Sequence, residues 1–94
     1  MKPKYGASTD LNQKEIVDAL KKIGCQVLVI GTPVDLLVGR GGKNLLIEVK
    51  RPGEKPRTQA QREFLATWKG QVRVVTTAEE AIEAVERLTV KNAY

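Results

Sequence analysis

The chain has 94 residues, of which 41% are hydrophobic and 29% charged, a composition typical of one small globular domain. It contains no histidine and only one cysteine, which excludes histidine-based catalysis, an internal disulfide and a zinc site of the usual ligand set. The net charge of +5 is concentrated in residues 40–73, where nine basic and three acidic side chains give +6. This excess predicts a polyphosphate partner such as nucleic acid, with a merely solvated surface as the alternative.

No apolar run approaches the ~20 residues that would span a bilayer, and no signal peptide is recognisable at the N-terminus. The lone Cys25 suits a reducing compartment. We therefore expect a cytoplasmic protein of a bacterial or phage-infected cell, without membrane contact.

Hydrophobic periodicity and helix caps predict the element order α-β-β-β-α-β-α. The expected segments are an N-terminal arm (1–10), a helix from an Asn12 cap to Gly24, strands at 25–30, 34–38 and 44–50, a basic loop (51–57), a helix from a Thr58 cap to Gly70, a strand at 71–75, a helix after Thr77, and a tail (91–94). Gly41 and Gly42 predict a tight hairpin between the second and third strands. An antiparallel meander followed by a strand–helix–strand crossover predicts one α/β domain over residues 11–90, with a mixed central sheet.

Two acidic residues interrupt apolar strands, where carboxylates are unfavourable. Asp35 lies among valines and leucines, and Glu48 and Lys50 share one face of the third strand. If the strands pair across the hairpin, Asp35 comes near the level of Lys50 and Glu48. The two carboxylates, with the carbonyl of Val49, suit Mg²⁺ or Mn²⁺, and Lys50 suits a developing negative charge on phosphate. The alternative is a cross-strand salt bridge on the outward face of an edge strand.

These residues carry a family resemblance. Pro33-Val34-Asp35 followed by Leu46-Ile47-Glu48-Val49-Lys50 resembles the PD-(D/E)xK nuclease signature, with one spacer residue between Pro33 and Asp35. More narrowly, residues 15–88 resemble the stand-alone VRR-NUC nucleases of phages and bacteria, including Thr58-Gln59-x-Gln61 at the start of a helix. The valine-arginine-arginine pattern that names the family is reduced here to Val72-Arg73-Val74, which leaves the role of Arg73 open.

The resemblance implies a restriction-endonuclease-like core with a catalytic site at the third strand. Asp35 and Glu48 would be metal ligands and Lys50 the catalytic lysine, with Gln61 beside the site and Glu15 presented from the first helix. For Glu15 and Gln61 the alternative is a purely structural role in a capping box. Trp68, at helical spacing from Phe64, is expected in the core rather than on DNA.

The predicted function is a metal-dependent, structure-selective DNA endonuclease. The resemblance favours a homodimeric Holliday junction resolvase that cuts four-way junctions, with a flap, nick or general repair and recombination nuclease as the alternative. A non-catalytic basic DNA-binding domain is the more distant alternative. Candidate DNA-contacting residues are Arg51, Lys55, Arg57, Arg62 and, at the hairpin, Arg40 and Lys43, for which solvation of the turn is the alternative.

Overall fold

The computed structural model describes residues 4–55 and 58–90, and its helices and strands follow the predicted order. They are, in chain order, α1 (Lys4–Lys22), β1 (Gln26–Val29), β2 (Leu36–Arg40), β3 (Lys43–Val49), α2 (Gln59–Thr67), β4 (Val72–Val75) and α3 (Ala78–Thr89). The strands form one sheet in the order β1-β2-β3-β4, antiparallel from β1 to β3 and parallel between β3 and β4. The prediction of an α/β domain with a mixed sheet is therefore confirmed.

The β2–β3 hairpin sets the register on which the candidate site depends. Gly41 and Gly42 both have positive φ, +58° and +80°, as a tight two-residue hairpin turn requires. Leu36 pairs with Ile47, so Asp35, the residue before Leu36, lies level with Glu48, the residue after Ile47 and one of the two residues near which it was expected. The strand itself starts two residues later than expected. The chain bends at Asp35, whose carbonyl accepts hydrogen bonds from the amides of Ile30 at 2.9 Å and Gly31 at 3.2 Å.

The hydrophobic core lies between one face of the sheet and the helices α1 and α3. These two helices contact each other, and both contribute fully buried residues on a single stripe. The largest fully buried side chains of this core are those of Ile16, Leu20, Leu36, Val38, Ile47 and Val85. Cys25 is also buried there, which raises the pKa of its thiol and fits the small apolar role expected of it.

The first helix is longer than the sequence suggested. It starts at Lys4, inside the segment for which an arm was expected, and no proline after Pro3 prevents helical turns there. Asn12 therefore lies within the helix and does not cap it; its Nδ2 donates to the carbonyl of Thr76 at 3.2 Å instead. Residues 1–3 and the predicted tail 91–94 lie outside the described residues.

Helix α2 lies over the opposite face of the sheet and buries none of its own residues. Thr58 caps it as predicted, its Oγ1 accepting from the Gln61 amide at 3.1 Å, but the helix ends at Thr67 rather than near Gly70. The core position expected for Trp68 is wrong: this residue occupies the C-cap and is 47% exposed. Its partner Phe64 is only half-buried, because α2 covers one side of the sheet without a further layer above it. Within 4–55 and 58–90, no helix is long and apolar enough to cross a membrane.

Candidate functional site

The candidate site forms where β3 ends, on the face of the sheet that α2 covers. Side chains alternate along β3, so Leu45, Ile47 and Val49 enter the core while Glu48 and Lys50 project from the other face. Glu48 is 3% exposed and Lys50 4%, both as buried as core residues. Because β3 is paired on both sides and both side chains are buried, the edge-strand setting of the salt-bridge alternative is wrong, although Lys50 and Glu48 do form a salt bridge.

Among the described residues, the hydrogen bonds to the Glu48 carboxylate converge on one of its oxygens. Oε2 accepts from Lys50 Nζ at 3.0 Å and from Gln61 Nε2 at 2.9 Å. The other oxygen, Oε1, is buried without a hydrogen-bond partner among the described residues, and the same holds for Oε1 of Gln61. A buried oxygen that lacks a partner is costly, and a bare carboxylate oxygen more so, unless a cation or a donor from a ligand satisfies it.

Asp35 is held against the end of β3 by the backbone. Its Oδ2 accepts a hydrogen bond from the Val49 amide at 2.8 Å, although Asp35 itself is only half-buried. This bond fixes the second carboxylate beside the first. The carbonyl of Val49, predicted as a further metal ligand, belongs to the same stretch of backbone.

The electrostatic environment opposes ionisation of Glu48. Burial raises the pKa of its carboxyl above the ordinary value, and the negative charge of Asp35 acts in the same direction. The hydrogen bond and positive charge of Lys50 act against this rise. Two acidic groups and one ammonium leave the site with a formal charge of −1, which a bound cation would offset.

These side chains line one open cavity of about 340 Å³, here called the acidic cavity, whose walls include Pro33, Asp35, Glu48, Val49, Lys50 and Gln61. Its donor set fits a hard divalent cation, which prefers oxygen ligands and is commonly held in proteins by one or two carboxylates plus waters. Among residues 4–55 and 58–90, however, no group of three or more acidic, cysteine or histidine side chains is arranged so that it could hold a metal ion. Thr32 and Thr58 also line the cavity; sequence reasoning did not propose them as site residues, and their only signal was proximity to Pro33 and Gln61.

The structure distinguishes the two residues that were candidates for either capping or the site. Gln61 does both, since its amide joins the Thr58 cap while its side chain crosses to Glu48. Glu15 does neither in this structure. It lies on the exposed side of α1, within the helix and away from its start, and does not line the acidic cavity. The capping role for Glu15 is therefore wrong, and its role at the site stays a prediction.

The candidate DNA-contacting cations fall into two groups at opposite ends of β3. Arg51 and Lys55 are exposed in the loop that leaves the acidic cavity, and Arg62 is exposed on α2. Arg57 lies outside the described residues. Arg40 and Lys43 lie at the hairpin, seven strand residues away, which is roughly 20 Å at the usual rise per residue. The hairpin pair therefore does not belong to the cavity, and Arg40 Nη1 donates to Thr89 Oγ1 at 3.2 Å.

Comparison with known protein families, with curated proteins and with solved structures finds no match to this chain. The nuclease resemblance therefore stays a prediction that rests on the short motifs themselves.

Proposed function

We propose that this chain is a metal-dependent nuclease that hydrolyses phosphodiester bonds in DNA, built on a restriction-endonuclease-like core. The observation that carries the proposal is the arrangement around Glu48. Within the described residues, a buried carboxylate has two donors on one oxygen and none on the other, with a second carboxylate and an ammonium beside it. Such groups are retained in a small domain at a cost to stability, which favours a catalytic use.

Asp35 and Glu48 would hold one or two divalent cations, with the Val49 carbonyl as a further ligand. A bound Mg²⁺ or Mn²⁺ supplies Lewis acidity, which lowers the pKa of a water and offsets negative charge on phosphate. Lys50 would neutralise the charge that develops on phosphorus-bound oxygens, because its ammonium already lies at the cavity wall. Gln61 would hold Glu48 in place with its Nε2 and orient a water or phosphate with its free Oε1.

The charge distribution supports DNA as the substrate. Arg51 and Lys55 follow directly on the cavity, where they can contact phosphates that flank the cleaved bond. No described element is shaped to read base edges in a groove, which favours selection by DNA structure over sequence. The narrower proposal is a homodimeric resolvase of four-way junctions, since two copies would offer two sites for opposed strands. Metal-dependent cleavage of flaps or nicks would support the chemistry with a different substrate.

The test is cleavage of a labelled four-way junction, a flap and a matched linear duplex, each in Mg²⁺, in Mn²⁺ and in EDTA. Wild type should cut only when metal is present, and Glu48→Gln should lose at least about a hundred-fold in rate. Asp35→Asn should lose a comparable amount while keeping an acceptor for the Val49 amide, which guards against misfolding of the first variant. Glu83→Gln, the same substitution at an exposed position of α3, is the matched control and should cut like wild type.

Three outcomes distinguish a junction resolvase, a less selective nuclease and a DNA-binding domain without catalytic activity. Paired, symmetric cuts confined to the junction would establish a resolvase. Cleavage of every branched substrate would keep the metal chemistry and refute the junction preference. No cleavage in either metal by folded protein that still binds DNA would refute the nuclease and favour a basic DNA-binding domain.

A further inference from the structure

A second cavity opens beside the acidic cavity on the same face of the sheet. It measures about 560 Å³ and is lined by Pro33, Leu37, Leu46, Phe64 and Trp68, here called the apolar groove. Asn44 and Gln71 add polar, exposed groups to its lining, with Gln71 Nε2 donating to the Asn44 carbonyl at 2.8 Å. An apolar cavity of this size with a few polar groups fits a small aromatic ligand better than it fits phosphate.

The aromatic pair in the groove is arranged as a stacking platform. The rings of Phe64 and Trp68 stack with centroids 5.1 Å apart, and Trp68 remains 47% exposed. Gly70 makes room for the indole, because a Cβ on this residue would lie 2.6 Å from Trp68 Nε1. Phe64 stacks on the indole, and about half of the Trp68 surface remains exposed as a flat apolar surface.

The groove and the acidic cavity are adjacent parts of one surface. Pro33 lines both, and α2 contributes Gln61 to one and Phe64 to the other. On β3, Leu46 and Glu48 point to the same face two residues apart, roughly 6.5–7 Å along the strand. That separation is comparable to one nucleotide step in an extended strand, so a phosphate at Glu48 places a neighbouring base at the groove.

The charge at the groove also favours a nucleic acid. None of the residues that line it is acidic, and Lys69 lies between two of them, Trp68 and Gly70. A second copy of this chain would bring a partner of the same net charge, +5, to this surface. A nucleotide brings an apolar ring for the groove and a negative charge, opposite in sign to the net charge of the protein.

We propose that the apolar groove binds one unpaired nucleobase next to the phosphodiester held in the acidic cavity, stacking it on Trp68. This inference rests on the proposed nuclease function and favours its alternative substrates, flaps and other DNA with an unpaired nucleotide beside the cut, over a fully paired four-way junction. A base within a duplex cannot enter the groove, because it is already stacked on both sides and paired with the opposite strand.

The test uses the fluorescence of Trp68, the only tryptophan in the chain. The full chain is titrated in EDTA, so that nothing is cleaved, with a DNA duplex that carries one unpaired thymine. Two matched duplexes serve as controls, one with an abasic residue in place of the thymine and one fully paired. We expect the unpaired thymine to quench the emission and the abasic and paired duplexes to leave it nearly unchanged.

Two variants measured by fluorescence anisotropy of labelled DNA complete the test. Trp68→Ala should bind the duplex with the unpaired thymine roughly ten-fold more weakly and bind the paired duplex like wild type. Gly70→Ala should weaken the same interaction by displacing the indole. Because this second variant keeps Trp68, a loss of binding that both variants share cannot be ascribed to misfolding of Trp68→Ala alone. Lys14→Gln on α1 removes one positive charge on the opposite face of the sheet from the groove and should reduce binding of both duplexes equally or not at all.

An equal response to the thymine and the abasic residue, or no response, would overturn the proposal. So would emission that changes with protein concentration alone while sedimentation shows a dimer, since the groove would then be covered by a second copy. The titration involves neither metal nor cleavage. Loss of the nuclease proposal would appear as absence of cleavage by the wild type in either metal, and loss of the base site as unchanged emission.

Discussion

Replacing Lys50 by methionine tests whether the buried ion pair organises the candidate site. The two side chains are each 5% exposed, and Lys50 Nζ lies 3.0 Å from Glu48 Oε2. Methionine keeps most of the lysine volume, but it leaves the Glu48 carboxylate buried beside Asp35 without the positive charge of the Lys50 ammonium. Removing one partner of a buried pair typically costs about 3–5 kcal/mol, a large part of the stability of a domain this size.

This cost has an upper limit, because the variant can protonate Glu48 instead of keeping an unpaired charge buried. In the unfolded chain the carboxyl has a pKa of 4.5, so neutralising it at pH 7 takes about 3.4 kcal/mol, at about 1.36 kcal/mol per pH unit. At pH 5 the same step costs less than about 1 kcal/mol. We therefore expect Lys50→Met to lose about 3 kcal/mol at pH 7 and under about 1 kcal/mol at pH 5. With an m-value near 1.3 kcal/mol/M, the urea midpoint falls by about 2 M at pH 7.

The assay is urea unfolding in EDTA at both pH values, followed by circular dichroism. Lys14→Met is the control, because Lys14 forms a shorter contact with Asp18, 2.8 Å, at exposed positions, and it should not shift the midpoint measurably. Added MnCl₂ should stabilise Lys50→Met more than wild type, since a cation bound at Glu48 replaces the missing charge. The reasoning is refuted if Lys50→Met unfolds like Lys14→Met at pH 7, or if its loss is the same at pH 5.

Three further predictions concern pH, salt and the indole. Because burial raises the pKa of Glu48, the folded state binds more protons than the unfolded chain above pH 4.5. The urea midpoint of the wild type, measured as a difference from that of Glu48→Gln, should therefore rise as the pH falls from 7 towards 4.5. Lys55→Gln should reduce the salt dependence of DNA binding by about one unit of slope, measured by anisotropy over a range of NaCl concentrations. Gly70→Ala should shift the emission maximum of Trp68 in the free protein while leaving the far-ultraviolet circular dichroism spectrum unchanged, because only the indole has to move.

Local sequence signals were sufficient for the order of elements and for the register at the site. The glycine pair at Gly41 and Gly42 fixes a two-residue turn, and counting back from that turn places Asp35 level with Glu48. The Thr58 cap could likewise be predicted from its hydroxyl and the spacing to Gln61. These features depend on a few neighbouring residues, so a single sequence contains them.

Features that depend on tertiary contacts could not be predicted in this way. Asn12 is a good capping residue, but Thr76 offers its carbonyl from a distant turn and α1 continues past it. Trp68 has helical spacing from Phe64, yet its exposure depends on whether another layer covers α2, which no local pattern encodes. Similarly, only the assembled fold shows that Glu48 is buried with one oxygen satisfied and the other bare.

The absence of buried residues in α2 has a consequence for how the surface moves. Opening this helix would expose little apolar area, so its amides should exchange with solvent at a lower free energy than those of β3 or α3. The same helix supplies Gln61 to one cavity and Phe64 to the other. A ligand that fills either cavity would stiffen a wall that both share, which thermodynamically couples occupancy of the two without any change in the sheet beneath.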